Sequence, residues 1–268
     1  MFVHHPNINP TIFSLGPLAV RWYGLMYVIG YLQGIGILKW LIQKGDLKLT
    51  KEQLDKLILY LIIGMFIGSR TAYVFIYNWD YYKLDLFRAL KVWEGGLSFH
   101  GAVFGMFIAI LTSSYIFKIK KSQLLDACAL AGAPGVFWGR IGNFINGELY
   151  GRVTNHPFGM IFRDPEAGNM PRHPSQLYEA FGEGVFVFLI LLFTYFYMKK
   201  KNIKLEGLLA FLYVGTYGLV RFLIEYTREP DSTLGFFFGW ITMGQMLCTL
   251  MMIIGFGGIA VLVSRKKI

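Results

Sequence analysis

The residues best suited to chemistry in this 268-residue sequence lie in one short stretch, GRIGNFINGELYG, at residues 139–151. It carries a guanidinium, two amides and a carboxylate, on Arg140, Asn143, Asn146 and Glu148, and it directly follows an apolar segment. Arginine can hold a phosphate through two parallel hydrogen bonds, and amides orient ligands through their donors and acceptors. We therefore expect this stretch to bind an anionic group beside an apolar environment.

Polar residues recur at helical spacing in two further apolar segments. Tyr217, Arg221 and Glu225 are four residues apart and share one helix face. Single pairs such as Arg221–Glu225 are also consistent with ion pairs that only fix the helix register. Taken together, the polar residues favour a basic pocket for an anionic phospholipid headgroup. In the other of these two segments, the polar residues that share one helix face are Gln176, Glu179 and Glu183.

His100 begins an apolar run, GGLSFHGAVFG. Its ordinary pKa of about 6.5 suits proton transfer, although a lone helical histidine is also a common structural residue. No histidine or cysteine spacing is typical of a metal site, so we expect no metal. His4 and His5 are expected to belong to a disordered end.

The composition indicates which elements must position these residues. Hydrophobic residues make up 55% of the chain and charged residues 16%, whereas soluble domains are roughly 25% charged. The apolar blocks approach the ~20 residues that a helix needs to cross a bilayer, and the short alternation of a β-barrel is absent. We predict an all-α, polytopic membrane helical bundle. No cleaved signal peptide is expected, because the N-terminus lacks a basic region followed by a short apolar core.

The net charge of +10 does not indicate a nucleic-acid partner, because the basic residues fall in short loops between apolar segments. We predict seven transmembrane helices within a single catalytic domain, residues 1–268. Their approximate bounds are Arg21–Leu41, Leu54–Tyr77, Leu97–Phe117, Leu124–Phe144, Gln176–Met198, Leu205–Tyr226 and Trp240–Val263.

Lysine and arginine concentrate in alternate connections, which the positive-inside rule assigns to the cytoplasm. The N-terminus is then outside and the C-terminus cytoplasmic. The longest outer segments are residues 78–96, an amphipathic interfacial arm, and residues 147–175, a small outer loop or head. In this topology the polar residues, Tyr23 and Arg70 among them, lie toward the outer leaflet. Glycines four apart, in GMFIG, GAVFG and GVFWG, predict close helix packing at residues 64–68, 101–105 and 135–139.

The sequence resembles the prolipoprotein diacylglyceryl transferases over nearly its whole length. The most specific match is GRIGNFINGELYGR, which begins at residue 139. The other matching motifs are RWYGLMY at 21–27, GGLSFHG at 95–101, RHPSQLYE at 172–179, YGLVRFLIEYTREPD at 217–231 and MGQ at 243–245.

This resemblance implies an enzyme of the bacterial cytoplasmic (inner) membrane with its active site toward the outer leaflet. Such a transferase moves the sn-1,2-diacylglyceryl group of phosphatidylglycerol to the lipobox cysteine of a preprolipoprotein signal peptide. The products are a thioether and glycerol 1-phosphate, as the first step of lipoprotein maturation. The implied partners are these substrates and membrane lipids, with no cofactor.

The resemblance also implies functional positions: Tyr23, His100, Arg140, Asn143, Glu148, Gly151, Tyr217, Arg221 and Glu225. The chemistry of the reaction then indicates individual roles. We expect His100 to act as the base, Arg140 and Arg221 to hold the leaving phosphate, and Tyr217 to donate to it. Glu148 either organises its loop or binds glycerol hydroxyls. The remaining expected substrate-binding residues are Tyr23, Arg70, Asn143, Asn146, Gly151 and Glu225.

Two other functions fit buried charges in a helical bundle. A transporter or flippase of an anionic lipid would continue its polar path into the cytoplasmic half, where these segments are mostly apolar. A non-catalytic lipid-binding scaffold would need the basic pocket but not His100.

Overall fold

The computed structural model describes residues 2–6, 8–16, 18–229, 237 and 239–265, and most of them are helical. The longer helices are α1 (Trp22–Gln43), α2 (Lys51–Ala72), α4 (Phe99–Phe117), α5 (Lys121–Asn146), α7 (Val187–Lys200), α8 (Leu208–Ile224) and α9 (Met243–Arg265). Two short helices are α3 (Trp79–Tyr82) and α6 (Ser175–Glu179).

Six helical segments in the described residues are long and apolar enough to cross a membrane, which confirms the all-α polytopic fold class. They are Trp22–Gln43, Lys51–Tyr77, Phe99–Phe117, Ser175–Lys200, Leu208–Thr227 and Met243–Arg265. The predicted fourth span lies inside α5, which contains Pro134 and is not among these six. The number of spans and the orientation of the termini stay predictions.

The chain divides into two compact units. The first unit combines Met1–Trp40 with Asp126–Ile268, and the second is Leu41–Leu125. In the first unit α8 packs along α9, and a side chain at Gly255 would overlap the backbone of Gly215. A π-helical turn, Ala180–Phe186, joins α6 to α7, and a 3₁₀ turn, Glu225–Thr227, ends α8.

The first unit also carries two small sheets. Strand β1 (Val3–His4) pairs in parallel with β4 (Met160–Ile161), which pairs antiparallel with β5 (Pro171–Arg172). The second sheet is an antiparallel hairpin of β2 (Thr11–Leu15) and β3 (Leu18–Arg21). Residues 147–175 therefore fold onto the N-terminal segment.

The expectation that His4 and His5 lie in a disordered end is wrong. His4 is part of β1, and His5 is 5% exposed, with its ring stacked on Phe162. Its Nε2 lies 2.6 Å from the carbonyl oxygen of Phe144, so it must donate that hydrogen bond. Ring burial and this bond tie the N-terminus to the end of α5.

In the second unit α2 packs closely against α4 through two of the predicted glycine pairs. A side chain at Gly64 or Gly68 would overlap the backbone of Gly105 or Gly101, as would the reverse substitutions. Backbones can approach this closely only where side chains are absent, which confirms the predicted packing role. The third pair differs, because Gly139 has open space around it.

The segment 78–96, called the arm below, lies between α2 and α4 and consists of α3 and two 3₁₀ turns, Leu86–Leu90 and Val92–Glu94. Leu84, Phe87, Leu90 and Trp93 recur at every third position of the arm, and each is more than 70% exposed.

Candidate active site

Three arginines and three glutamates of the first unit form one network of buried ion pairs. Their carboxylates come from the helix that begins at Ser175 and from the end of α8. We call this network the Arg–Glu cluster: Arg140, Arg221, Arg228, Glu179, Glu183 and Glu225.

Glu179 is the centre of the cluster. Its Oε2 lies 3.1 Å from Nη1 of Arg140, and its Oε1 lies 2.5 Å from Nη1 of Arg221. The same Oε1 is also 2.5 Å from Nη1 of Arg228. One carboxylate therefore brings together the two guanidinium groups that the sequence analysis assigned to the phosphate.

The other two glutamates complete the charge balance. Glu183 lies 3.4 Å from Nη2 of Arg140 and 3.7 Å from Nη1 of Arg221. Glu225 pairs with Arg221 at 2.7 Å, as the four-residue spacing predicted, and accepts a hydrogen bond from Thr242. The cluster thus contains three positive and three negative groups.

Local helix geometry explains how the cluster forms. Glu179 ends α6, and Glu183 follows inside the π-helical turn, a rare feature that often occurs at functional sites. Arg221 and Glu225 are one turn apart on α8. Arg228 then follows the 3₁₀ turn, which returns its side chain toward Glu179.

The charges differ in their access to the surroundings. The side chains of Glu179 and Glu183 are 0% exposed, whereas those of Arg140, Arg221 and Arg228 are 14–19% exposed. Buried carboxylates are tolerated only when they are paired, because desolvation costs several kcal/mol per ion. The glutamates therefore lie at the inside of the cluster, and the arginine side chains are its more exposed members.

A second polar group, the amide cluster, consists of Asn143, Asn146 and Gln176 around Glu148. The amide nitrogens of Asn143 and Asn146 donate to Oε1 of Glu148, at 2.8 and 3.1 Å. Gln176 donates to the main-chain oxygen of Glu148 at 2.6 Å. Glu148 is thus held by all three amides, consistent with its expected role in organising the loop.

Two tyrosines border these groups. Tyr23, at the start of α1, interacts with Asn143 and lies 2.9 Å from the hydroxyl of Tyr27. Tyr217 on α8 lies next to the carboxylate of Glu183 and near Arg140. The structure therefore brings each tyrosine to a different polar cluster.

The loop after Glu148 crosses closely over neighbouring main chain. Gly151 donates to the carbonyl of His173 at 2.8 Å, and Arg152 donates to that of Thr227 at 2.9 Å. A side chain at Gly151 would overlap the Thr227 carbonyl and meet His173. Glycine is required here because of this close approach, and the expected contact of Gly151 with substrate stays a prediction.

Two expected site residues, Arg70 and His100, belong to the second unit. Arg70 is buried, and its five N–H groups donate to the carbonyl oxygens of Arg88, Ala89, Lys91, Gly95 and Gly96. These bonds fold the arm around the guanidinium, so they favour a structural role over the predicted substrate contact. His100 is exposed, with Nδ1 3.2 Å from the Tyr77 hydroxyl.

The sequence analysis counted Gln176, Glu179 and Glu183 among the polar residues of the pocket without individual roles, and it missed Arg228. Nothing in the sequence indicated that the glutamates would share arginines. Arg228 follows the 3₁₀ turn, outside α8, so helical spacing could not have identified it. Among the described residues, no three histidine, cysteine or acidic side chains are grouped as a metal site.

These features define the class: a polytopic helical membrane protein with a charge-balanced Arg–Glu cluster beside an amide cluster. A family model described as prolipoprotein diacylglyceryl transferase matches residues 10–261. The phosphatidylglycerol–prolipoprotein diacylglyceryl transferase of Rickettsia conorii is 47% identical over 250 residues, 93% of this chain and 95% of the relative. That of Geobacter sulfurreducens is 44% identical over 266 residues, 98% of both chains. The chain belongs to the prolipoprotein diacylglyceryl transferase family.

Proposed function

We propose that this chain transfers the sn-1,2-diacylglyceryl group of phosphatidylglycerol to the lipobox cysteine of preprolipoproteins. The observation that carries the proposal is the meeting of Arg140, Arg221 and Arg228 at one buried carboxylate, Glu179, which is less exposed than any of the three arginine side chains. The names of the relatives supply the reaction.

The reaction displaces a phosphate ester from the sn-3 carbon of the diacylglyceryl group. The carbon–oxygen bond breaks, a carbon–sulfur bond forms, and glycerol 1-phosphate leaves with the bonding electrons. Because negative charge grows on the leaving phosphate, preorganised guanidinium groups stabilise the transition state more than the bound lipid. Arg140 and Arg221 have this role, and Glu225 fixes the orientation of Arg221.

The attacking thiol must lose its proton, because the thiolate is the nucleophile. His100 accepts this proton, and its exposed ring and its contact with Tyr77 are consistent with that role. Tyr217 donates to the phosphate, and Tyr23 and Asn143 orient the headgroup. The buried carboxylate of Glu179 keeps the arginines in place through the reaction.

The site faces the outer leaflet of a bacterial cytoplasmic membrane, with the N-terminus outside and the C-terminus cytoplasmic. The positive-inside distribution of lysine and arginine supports this orientation. Phosphatidylglycerol then enters from the bilayer, and the preprolipoprotein signal peptide presents its cysteine on the same side.

The test uses purified protein in vesicles that contain phosphatidylglycerol and a synthetic lipobox peptide, with release of glycerol 1-phosphate as the readout. Arg140→Ala and Arg221→Ala are expected to abolish thioether formation while the protein still inserts. Arg265→Ala, at the exposed end of α9, is the matched control and should retain activity. Full activity of both cluster variants would refute the phosphate assignment, and lipid movement without product would indicate a flippase instead.

A further inference from the structure

The side chain of Gln176 has a buried acceptor without a partner. The residue is 0% exposed, and its amide nitrogen is bound to the main-chain oxygen of Glu148 at 2.6 Å. Its Oε1 has no hydrogen-bond partner in the protein. Buried polar atoms are almost always hydrogen-bonded, so an orphan acceptor within a polar site indicates a missing donor.

Asn146 repeats this arrangement at the side chain of Glu148. Its amide nitrogen donates to Oε1 of Glu148, and its Oδ1 is buried without a partner. The amide donors of both side chains are thus committed to Glu148, while neither amide oxygen has a hydrogen-bond partner in the protein. A ligand that occupies this place must supply hydrogen-bond donors, and an anion would be repelled by the oxygens and by the Glu148 carboxylate.

The position of Gln176 relates this acceptor site to the Arg–Glu cluster. Gln176 and Glu179 are three residues apart on the same short helix, which corresponds to a rise of roughly 4.5 Å. Gln176 therefore lies on the same helix face as the carboxylate that binds the arginines, so one ligand can extend from the arginines toward the amide oxygen of Gln176. In a glyceryl phosphate, the first free hydroxyl is four bonds from phosphorus, roughly 4–5 Å given bonds of about 1.5 Å.

We propose that Oε1 of Gln176, together with Oδ1 of Asn146, accepts hydrogen bonds from the headgroup glycerol hydroxyls and so selects a polyol headgroup. This inference rests on the proposed diacylglyceryl transfer and assigns its lipid selectivity. Gln176 is then a substrate-binding residue, and Glu148 is the carboxylate around which the hydroxyl site is built. A site with acceptors placed for hydroxyl groups rejects analogues that lack them, because the acceptors then stay unpaired.

The decisive comparison is between phosphatidylglycerol and phosphatidylpropanol, which has the same phosphodiester and three-carbon headgroup without hydroxyls. Vesicles of each lipid are assayed with the same lipobox peptide, with glycerol phosphate or propyl phosphate as the released product. The wild-type protein should prefer phosphatidylglycerol by on the order of 10- to 100-fold in kcat/KM. Equal use of the two lipids would overturn the inference while leaving the transfer activity intact.

Two variants then assign the selectivity to Gln176. Gln176→Met keeps the side-chain length without an acceptor and should bring the ratio of the two lipids close to one. Ser175→Ala is the matched control, because Ser175 is equally buried and donates to the Leu149 carbonyl of the same loop at 3.0 Å. It should keep the wild-type preference even if both rates fall.

The remaining outcomes are equally clear. If Gln176→Met raises KM for the peptide and leaves the lipid ratio unchanged, the acceptor serves a peptide N–H and the inference is wrong. If Gln176→Met fails to fold, equal use of the two lipids by the wild-type protein would still overturn the inference. If the wild-type protein uses neither lipid, the proposed function fails, and this inference fails with it.

Discussion

Replacing Glu179 by glutamine removes one negative charge from the Arg–Glu cluster while nearly preserving the size of the side chain. Glu179 is 0% exposed and lies within 3.1 Å of Arg140 and 2.5 Å of both Arg221 and Arg228. The variant leaves three buried guanidinium groups facing two carboxylates. Removing one partner of a buried ion pair typically costs about 3–5 kcal/mol. At about 2–4 °C per kcal/mol for a chain of this size, the unfolding temperature should fall by roughly 6–20 °C.

The assay is thermal unfolding of the purified protein in one detergent, followed for the single variants and for Glu179→Gln combined with Arg228→Gln. The double variant restores the charge balance, so it should be more stable than the sum of the single losses, by about 0.5–3 kcal/mol. Glu52→Gln is the control, because Glu52 and Lys56 form an exposed pair at 2.7 Å that solvent screens. The reasoning would be refuted if Glu179→Gln unfolded at the wild-type temperature or if the two changes were additive.

Three further perturbations follow from single contacts. Gly151→Ala should lower both stability, by about 1–3 kcal/mol, and transfer activity, because its methyl group overlaps the Thr227 carbonyl; Gly139→Ala, in open space, should be neutral in both assays. Asp126 accepts from the main-chain N–H groups of Gly207 and Ala210 at the start of α8, so Asp126→Ala should cost about 0.5–2 kcal/mol in thermal unfolding; an unchanged unfolding temperature would contradict this. Burial lowers the pKa of His5, so the unfolded chain binds a proton more readily than the folded chain. The free energy of unfolding should therefore decrease as pH falls below about 6.5, the ordinary pKa of histidine. Unfolding temperatures between pH 7.5 and 5 should therefore fall more steeply for the wild type than for His5→Phe, and parallel profiles would exclude this contribution.

The length of the hydrophobic stretches and the helical spacing of polar residues were sufficient to predict the helices and part of the site. Both ends of each predicted span lie within three residues of the ends of a helical segment in the structure. These segments were predictable because the length of a hydrophobic stretch is a property of contiguous sequence. The Arg221–Glu225 pair was predictable for the same reason, since one turn separates its members.

Contacts between distant segments could not be predicted in this way. The pairing of β1 with β4 joins residues about 157 positions apart, and only the fold shows why His5 is buried. Likewise, Arg140 and Arg228 share Glu179 because of how three helices cross. Arg70 was expected to bind a ligand because it is a charged residue in an apolar segment. The sequence does not show whether such a charge binds a ligand or, as here, main-chain carbonyl groups.

The enclosure of Arg70 by five carbonyl groups has a consequence for the arm as a whole. A segment of this length ordinarily turns its leucines and aromatic rings inward to stabilise its own conformation. Here one cation gathers the backbone instead, so Leu84 and Phe87 can remain 83% and 81% exposed without loss of shape. The main-chain carbonyl groups of the arm therefore surround a central cation, while several of its largest apolar side chains lie at its surface.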